Sequence, residues 1–298
     1  MRNRIMIVHT ETSSSYARRI ASSLNWINEH KHMNIRTSVV SVNGIPNTVD
    51  NPRDTLIYAR AAIPESNWMS RLEVLETSGV KVINSTRVLK LTSDKLTSGI
   101  LLNNVLGNQL CPMTWELNKN DEDSNNGIYR NLANGFYVLK PYISMEQGAN
   151  VTKFTKGLDS LGRFIDIISS MPTTKVVLQR YIDYVGIHRV ICINGHALPF
   201  SFVDMVEYHP DNWKVSVCLN KTTMRYNYNP NHRLLELAEQ IQQSIGGNIN
   251  FIDIFETRNG NYVLSEINTA CNLRIHERLS NFNIHYQIAK ELVRLCND

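Results

Sequence analysis

The chain has 298 residues, of which 42% are hydrophobic and 19% charged, and 31 Lys and Arg against 27 Asp and Glu leave a net charge of +4. Such a composition can bury a sizeable core, and it excludes a disordered, collagen-like or coiled-coil chain. At about 150 residues per domain the length allows two domains or one elaborate one, and the mild basicity without a dense Lys/Arg block gives no reason to invoke nucleic acid.

The first ninety residues predict alternating elements. Ile5–Val8 is a strand, too short to be a signal-peptide core. Ser13–Glu29 is a helix with Ile20, Leu24 and Ile27 at helical spacing, Thr37–Val42 and Thr55–Tyr58 are strands, Glu65–Thr77 is a helix and Val80–Ile83 a strand. This β-α-β-β-α-β order predicts a small α/β domain with a mostly parallel sheet. Thr92 to Asn104 is a further helix, with Thr92, Ser93 and Asp94 offering a cap. Asn118 to Asn126 is polar and acidic and is expected to be an exposed loop.

Strands follow at Phe136–Leu139, Asn150–Phe154, Val176–Ile182, His188–Ile193 and Ala197–Val203, with a helix over Leu158–Ser170. His232–Ser244 is a helix broken by Gly246 and Gly247. Ile249–Glu256 and Tyr262–Asn268 flank Asn259-Gly260, and Ile284–Leu295 is a closing helix. An α/β unit is therefore followed by an antiparallel α+β region.

No apolar run approaches the ~20 residues of a membrane span. The five cysteines, Cys111, Cys192, Cys218, Cys271 and Cys296, are scattered without C-x-x-C spacing. That argues for a reducing, cytoplasmic setting and against a cysteine zinc site. Neither the dinucleotide glycine fingerprint nor the P-loop motif is present.

The chemistry concentrates in Phe251 to Asn268. Asn259-Gly260 signals a two-residue type I′ hairpin, whose register sets Asp253 opposite Glu266 and Phe251 opposite Asn268. Asp253, Glu266 and Asn268 then share one face, together with Phe251, Phe255 and Leu264. Opposed carboxylates repel, and hard oxygen donors in this arrangement suit Mg²⁺ beside phosphates; a solvated face with a chance pair is the alternative. Lys95 near a helix start and Lys140 at a strand end could supply point charges for phosphate. Arg189, in an apolar strand, needs an anionic partner if buried.

The order of these segments resembles ATP-grasp ligases, and most closely the RimK-like (ribosomal-protein glutamate ligase-like) branch. Val82-Ile-Asn-Ser85, Ser93-Asp-Lys95 and Cys111-Pro-Met-Thr114 are similar to the lead-in of that family, and Val138-Leu-Lys-Pro141 with Gln147-Gly148 to its phosphate-covering loop. Val177-Leu-Gln-Arg-Tyr-Ile182 resembles the adenine hinge, Arg189 the phosphate-binding arginine, and Asp253 with Glu266-Ile-Asn268 the metal triad. The resemblance implies a pre-ATP-grasp α/β domain over 1–90, a first ATP-grasp subdomain over 91–182 and a second over 183–298.

It further implies ATP, with Mg²⁺ or Mn²⁺, and an amide formed through an acylphosphate from an amino acid, peptide or protein carboxylate and an amine. Lys95, Lys140, Gln147 and Gly148 would contact phosphates, and Gln179, Arg180, Tyr181 and Ile182 would hold adenine. Asp253, Glu266 and Asn268 would hold the metal, and Arg189 and Lys214 would act in catalysis. Arg60 and Arg274 are candidate carboxylate binders. A nucleic-acid or membrane partner is not expected, and self-association is compatible with this reading.

The sequence departs from the family at Asn150, where a second glycine is common, at Arg180, at Lys214 and over Thr269 to Asn272. The alternatives are a small-molecule kinase of the same fold, as in inositol-phosphate kinases, and a nucleotide-binding module without turnover.

Overall fold

Strand β1 (Arg4–His9) is flanked by β2 (Arg36–Ser41) and β3 (Thr55–Arg60), and β4 (Lys81–Ile83) completes a parallel sheet in the order β2-β1-β3-β4. The computed structural model describes residues 2–10, 13–60, 67–143, 150–208 and 223–298. Strand β3 is buried along its whole length, as a parallel strand covered on both faces must be. Its side chains alternate. Leu56 and Tyr58 face helix α1 (Ser14–His30), which presents Ala17, Ile20, Leu24 and Ile27 to the sheet. Ile57 and Ala59 face α2 (Asn67–Thr77) with its Trp68, Met69, Leu72 and Leu75.

Two helices stand where one is expected. Thr86–Ser93 forms α3 and Lys95–Leu106 forms α4. Asp94 separates them, because its backbone is extended and its carboxylate accepts from the N–H groups of Leu96 and Thr97, both at 2.9 Å. Val88, Leu91 and Leu102 of this pair pack against the last sheet of the chain. The middle unit's own core therefore begins only at β5 (Thr114–Asn118).

That unit is an antiparallel sheet of β5, β8 (Lys175–Arg180), β6 (Gly135–Pro141) and β7 (Thr152–Lys156), in that order. Helices α5 (Glu122–Asn131) and α6 (Leu161–Ser170) cover it, closing a core around Phe154 and Phe164. Helix α5 overturns the exposed loop expected over Asn118 to Asn126. Its start is polar because polar groups build it. Asp121 accepts from the Ser124 N–H at 3.0 Å, and buried Asn125 closes onto Asn118 through both backbone groups. Only Ile128 and Tyr129 then meet the core, so apolar periodicity carries no signal.

The third sheet runs β11 (Arg225–Asn227), β10 (His196–Met205), β9 (Tyr184–Ile193), β12 (Ile249–Thr257) and β13 (Tyr262–Asn268), all antiparallel. Helix α7 (His232–Ile245) packs with α3 and α4 on one face. The other face joins the N-terminal sheet, α8 (Arg274–Ser280) and α9 (Ile284–Asn297) in one core. Helix α9 returns to the start of the chain, where Arg2 N–H donates to the Cys296 carbonyl at 2.8 Å and Lys81 Nζ to the Leu295 carbonyl at 3.0 Å. Among the described residues no helix is long and apolar enough to cross a membrane.

Asn84 ties the first sheet to the third. Its Oδ1 accepts from the N–H groups of Asn248 (2.6 Å) and Ile249 (3.0 Å), and its Nδ2 donates to the Ile249 carbonyl (2.8 Å), all with the side chain buried. Asn84→Ala leaves these backbone groups without that partner, and buried unpaired groups cost about 1–3 kcal/mol each. We expect a loss of about 3 kcal/mol in a denaturant titration, and a change within 0.5 kcal/mol at a control such as exposed Leu158→Ala.

Candidate active site

The β12–β13 hairpin carries the acids. Asp253 pairs with Glu266 and Phe251 with Asn268, as the sequence predicts, but the route to that register differs. The turn holds three residues rather than two. Only Gly260 has a left-handed backbone (φ +73°), and Asn261 N–H reaches the Thr257 hydroxyl at 3.1 Å. Inner pairs such as Ile254 with Leu264 are consequently one residue out of the expected register, and a bulge at Ser265 restores it at the acids. The bulge also turns Leu264 onto the opposite face, into the core with Ile252 and Ile254, so it does not share the acids' face as expected. Leu264 N–H donates to the Leu110 carbonyl at 2.8 Å. No local sequence signal marks that bond.

The compensating cations are protein side chains. Arg189 stands opposite Asp253 on β9 and grips it with both prongs, Nε to Oδ1 at 2.7 Å and Nη2 to Oδ2 at 2.6 Å. Both residues are buried. Lys95 Nζ lies 3.9 Å from Glu266 Oε2, and Asn268 Nδ2 donates to Glu266 Oε1 at 3.0 Å and lies 3.5 Å from Asp253 Oδ2. Arg189 thus has the anionic partner its burial demands, and that partner is the first of the three candidate metal ligands.

The two lysines meet because their segments are stitched together. Lys95 N–H donates to the Tyr142 carbonyl at 2.8 Å, and Asp94 bridges to Ile143 just beyond β6. A pocket results, lined by Lys95, Lys140, Gln179, Glu266, Thr92 and Cys111. The Asp94 cap that aims Lys95 into it is legible in Ser93-Asp94-Lys95 only once the break between α3 and α4 is known.

The charges set one another. Burial raises the Asp253 carboxyl to about 6, against the pull of Arg189 and with the push of Glu266. Burial also disfavours the Glu266 anion, but Lys95, the Asn268 amide, Lys140 and Arg189 outweigh it, and its carboxyl titrates below the usual range. Burial and then Lys95 push Lys140 down to about 7, with Glu266 opposing them.

The other expected residues lie as follows. Gln179 donates through Nε2 to the Thr114 hydroxyl at 2.9 Å. Arg180 and Tyr181 donate their N–H groups to the carbonyls of Met113 and Phe136. The Arg180 side chain is exposed and Ile182 is half-buried. Lys153 sits over the rings of both Phe136 and Tyr181, an aromatic clamp that the sequence does not reveal. Arg60 is buried at the end of β3 and Arg274 is exposed at the start of α8, both acting electrostatically on Tyr16. Gln147, Gly148 and Lys214 lie outside the described residues.

Asn150 has φ +59°. The left-handed backbone that a glycine would supply is therefore kept, by one of the few other residue types that tolerate it.

Two carboxylates and an amide converge across one hairpin. Turning the Asn268 amide brings its oxygen to the acids, so this donor set fits a hard divalent cation.

No protein-family model matches the chain. A curated relative, α-aminoadipate–LysW ligase LysX of Saccharolobus solfataricus, is 24% identical over 241 residues, covering 80% of this chain and 82% of LysX. Among solved structures, the D-cycloserine synthetase DcsG superposes with a TM-score of 0.72 at 13% identity, covering 98% of this chain and 99% of that one. The ATP-grasp ligase PsnB, complexed with a minimal precursor, Mg and ADP, gives 0.65 at 16% identity over 99% and 98%. A RimK-domain ATP-grasp protein of Sphaerobacter thermophilus gives 0.65 at 14% over 96% and 98%. The chain has the ATP-grasp fold. Within that fold its relatives are ligases and synthetases, a RimK-domain protein among them, in agreement with the resemblance carried by the motifs.

Lys140 gives the pocket a proton signature. A phosphate bound beside it would raise its depressed pKa, so such binding would take up a proton above about pH 7, and its affinity would fall as pH rises through that region. Calorimetry of ATP binding at about pH 8, in buffers of different ionisation enthalpy, should show uptake approaching one proton. In Lys140→Met that uptake should vanish.

Proposed function

We propose that the protein is an ATP-dependent carboxylate–amine ligase that forms an amide through an acylphosphate. The observation that carries this reading is the convergence on one pocket of Lys95 and Lys140 with Glu266, itself directly opposite the Arg189-paired Asp253. Lys95 and Lys140 would neutralise the nucleotide phosphates, and the segment from Gln179 to Ile182 would seat adenine. Asp253, Glu266 and Asn268 would hold Mg²⁺, which when bound neutralises charge on the phosphate oxygens. Gln147, Gly148 and Lys214 keep the roles that the family resemblance implies.

The substrate carboxylate attacks the terminal phosphoryl group, giving an acylphosphate and ADP. The amine then attacks the acyl carbon, phosphate leaves, and the amine's proton passes to solvent or phosphate. This chemistry needs positioning and charge neutralisation more than a protein nucleophile. Arg189 is best read as a positioning residue, because its fork is spent on Asp253 and fixes that carboxylate's orientation. The substrates are an amino acid, peptide or protein carboxylate and an amine, in a cytoplasmic setting that the free cysteines 111, 192, 271 and 296 suit.

Incubation with ATP, Mg²⁺ and hydroxylamine plus a panel of amino acids and acidic peptides should give a hydroxamate, trapping the acylphosphate, with stoichiometric ADP and phosphate. Glu266→Ala should lower the rate on the order of 10²-fold. A product heavier than one substrate by a single phosphate would instead identify a kinase, and undiminished hydroxamate in Glu266→Ala would remove the role given to that residue.

A further inference from the structure

Arg60 ends β3 at the carboxyl edge of the parallel sheet, the edge where ligands bind in α/β sheets. It is only 1% exposed. Nη2 donates to the Cys271 carbonyl at 2.6 Å, and Cζ lies 5.5 Å from the centre of the Tyr16 ring. Nε and Nη1 have no hydrogen-bond partner, and no carboxylate pairs with the guanidinium among the described residues. Glu277 on α8 is already taken by His285 and Arg19.

Unpaired polar atoms gather around it. The Tyr58 hydroxyl, on the same face of β3, and His285 Nε2, whose ring stacks on Tyr16, are both buried without partners among the described residues. A guanidinium stays charged at any pH at which proteins fold. Burying it without a counter-ion is costly, and the cost is relieved when an anion from solution completes the pair. Its planar fork matches a carboxylate.

We propose that Arg60 binds a non-reacting carboxylate of the amine-bearing substrate, an inference that rests on the ligase reading for the identity of that substrate. Its contact with Cys271 is three residues beyond Asn268, so the segment that leaves the acid cluster carries the anion site. A carboxylate gripped by a guanidinium is a poor nucleophile. The one held here is therefore not the group activated by ATP but a second one, as an amino-acid acceptor carries beside its amine. Tyr16, itself half-buried, is the outer wall.

The test needs no nucleotide. Thermal unfolding of the full chain is followed in chloride, L-glutamate, glutarate or inorganic phosphate at equal ionic strength. The carboxylates should raise Tm of the wild type above the chloride value. In Arg60→Met the rise should vanish while Tm in chloride stays equal or increases, because an unpaired charge has been removed. Arg60→Lys should keep a rise but need about 30-fold more carboxylate.

Three results would overturn the proposal: no carboxylate-specific rise in the wild type, an undiminished rise in Arg60→Met, or a rise with phosphate alone. If Arg60→Met does not fold, Arg60→Lys decides by the same comparison. A carboxylate rise that depends on Arg60, in a protein that forms no hydroxamate, would keep the anion site and remove the ligase reading.

Discussion

Two carboxylates face each other across neighbouring strands, and much of the molecule answers to that placement. Asp253 and Glu266 would repel at pairing distance, so each has acquired its own cation. Asp253 takes Arg189 from the adjacent strand, and Glu266 takes Lys95 from the start of α4 and the field of Lys140 from the end of β6. These cations come from three different regions of the chain. The acids therefore make sense only when the five-stranded sheet, the α3–α4 pair and the four-stranded antiparallel sheet are packed together. A charge that is strongly unfavourable in isolation becomes the point on which the three regions agree, and two of its cations face a pocket suited to phosphate.

Much of this arrangement is legible in the sequence, and where it is not the reason is specific. The parallel N-terminal sheet follows from apolar runs alternating with helical spacing, and all four strands form. The Asp253–Glu266 pairing is legible too, but through two departures that cancel: a turn one residue longer than Asn259-Gly260 suggests, and a bulge at Ser265. The bulge lies beside Leu264, whose N–H donates to the distant Leu110 carbonyl, and no pattern within the hairpin encodes that contact. Leu264 is misplaced for the same reason. Helix α5 escapes notice because Asp121 and Asn125 build it from hydrogen bonds, and such residues look like loop.

The departures from the family pattern divide on physical grounds. Asn150 keeps the left-handed backbone of the glycine it replaces and changes little. Arg180 is exposed and its backbone does the structural work, so the loss of an acid there does not disturb the sheet. The segment after Asn268 differs in kind. It sends the Cys271 carbonyl to the buried Arg60 and leads into α8. There a buried guanidinium stands with two of its nitrogens unpaired among the described residues. The fold is shared with the ligases and synthetases, and the anion site proposed above lies at that junction.

Glu266, opposite Asp253, is proposed to belong to a metal–nucleotide site rather than to a charge cluster serving stability alone. The most direct measurement is ATP affinity by calorimetry, with Mg²⁺ and with chelator, in the wild type and in Glu266→Gln, which keeps the side chain's size. Mg²⁺ should tighten ATP binding at least about tenfold in the wild type, equivalent to ~1.4 kcal/mol, and Glu266→Gln should lose most of that gain while remaining folded. An equal gain from Mg²⁺ in both proteins would contradict that role.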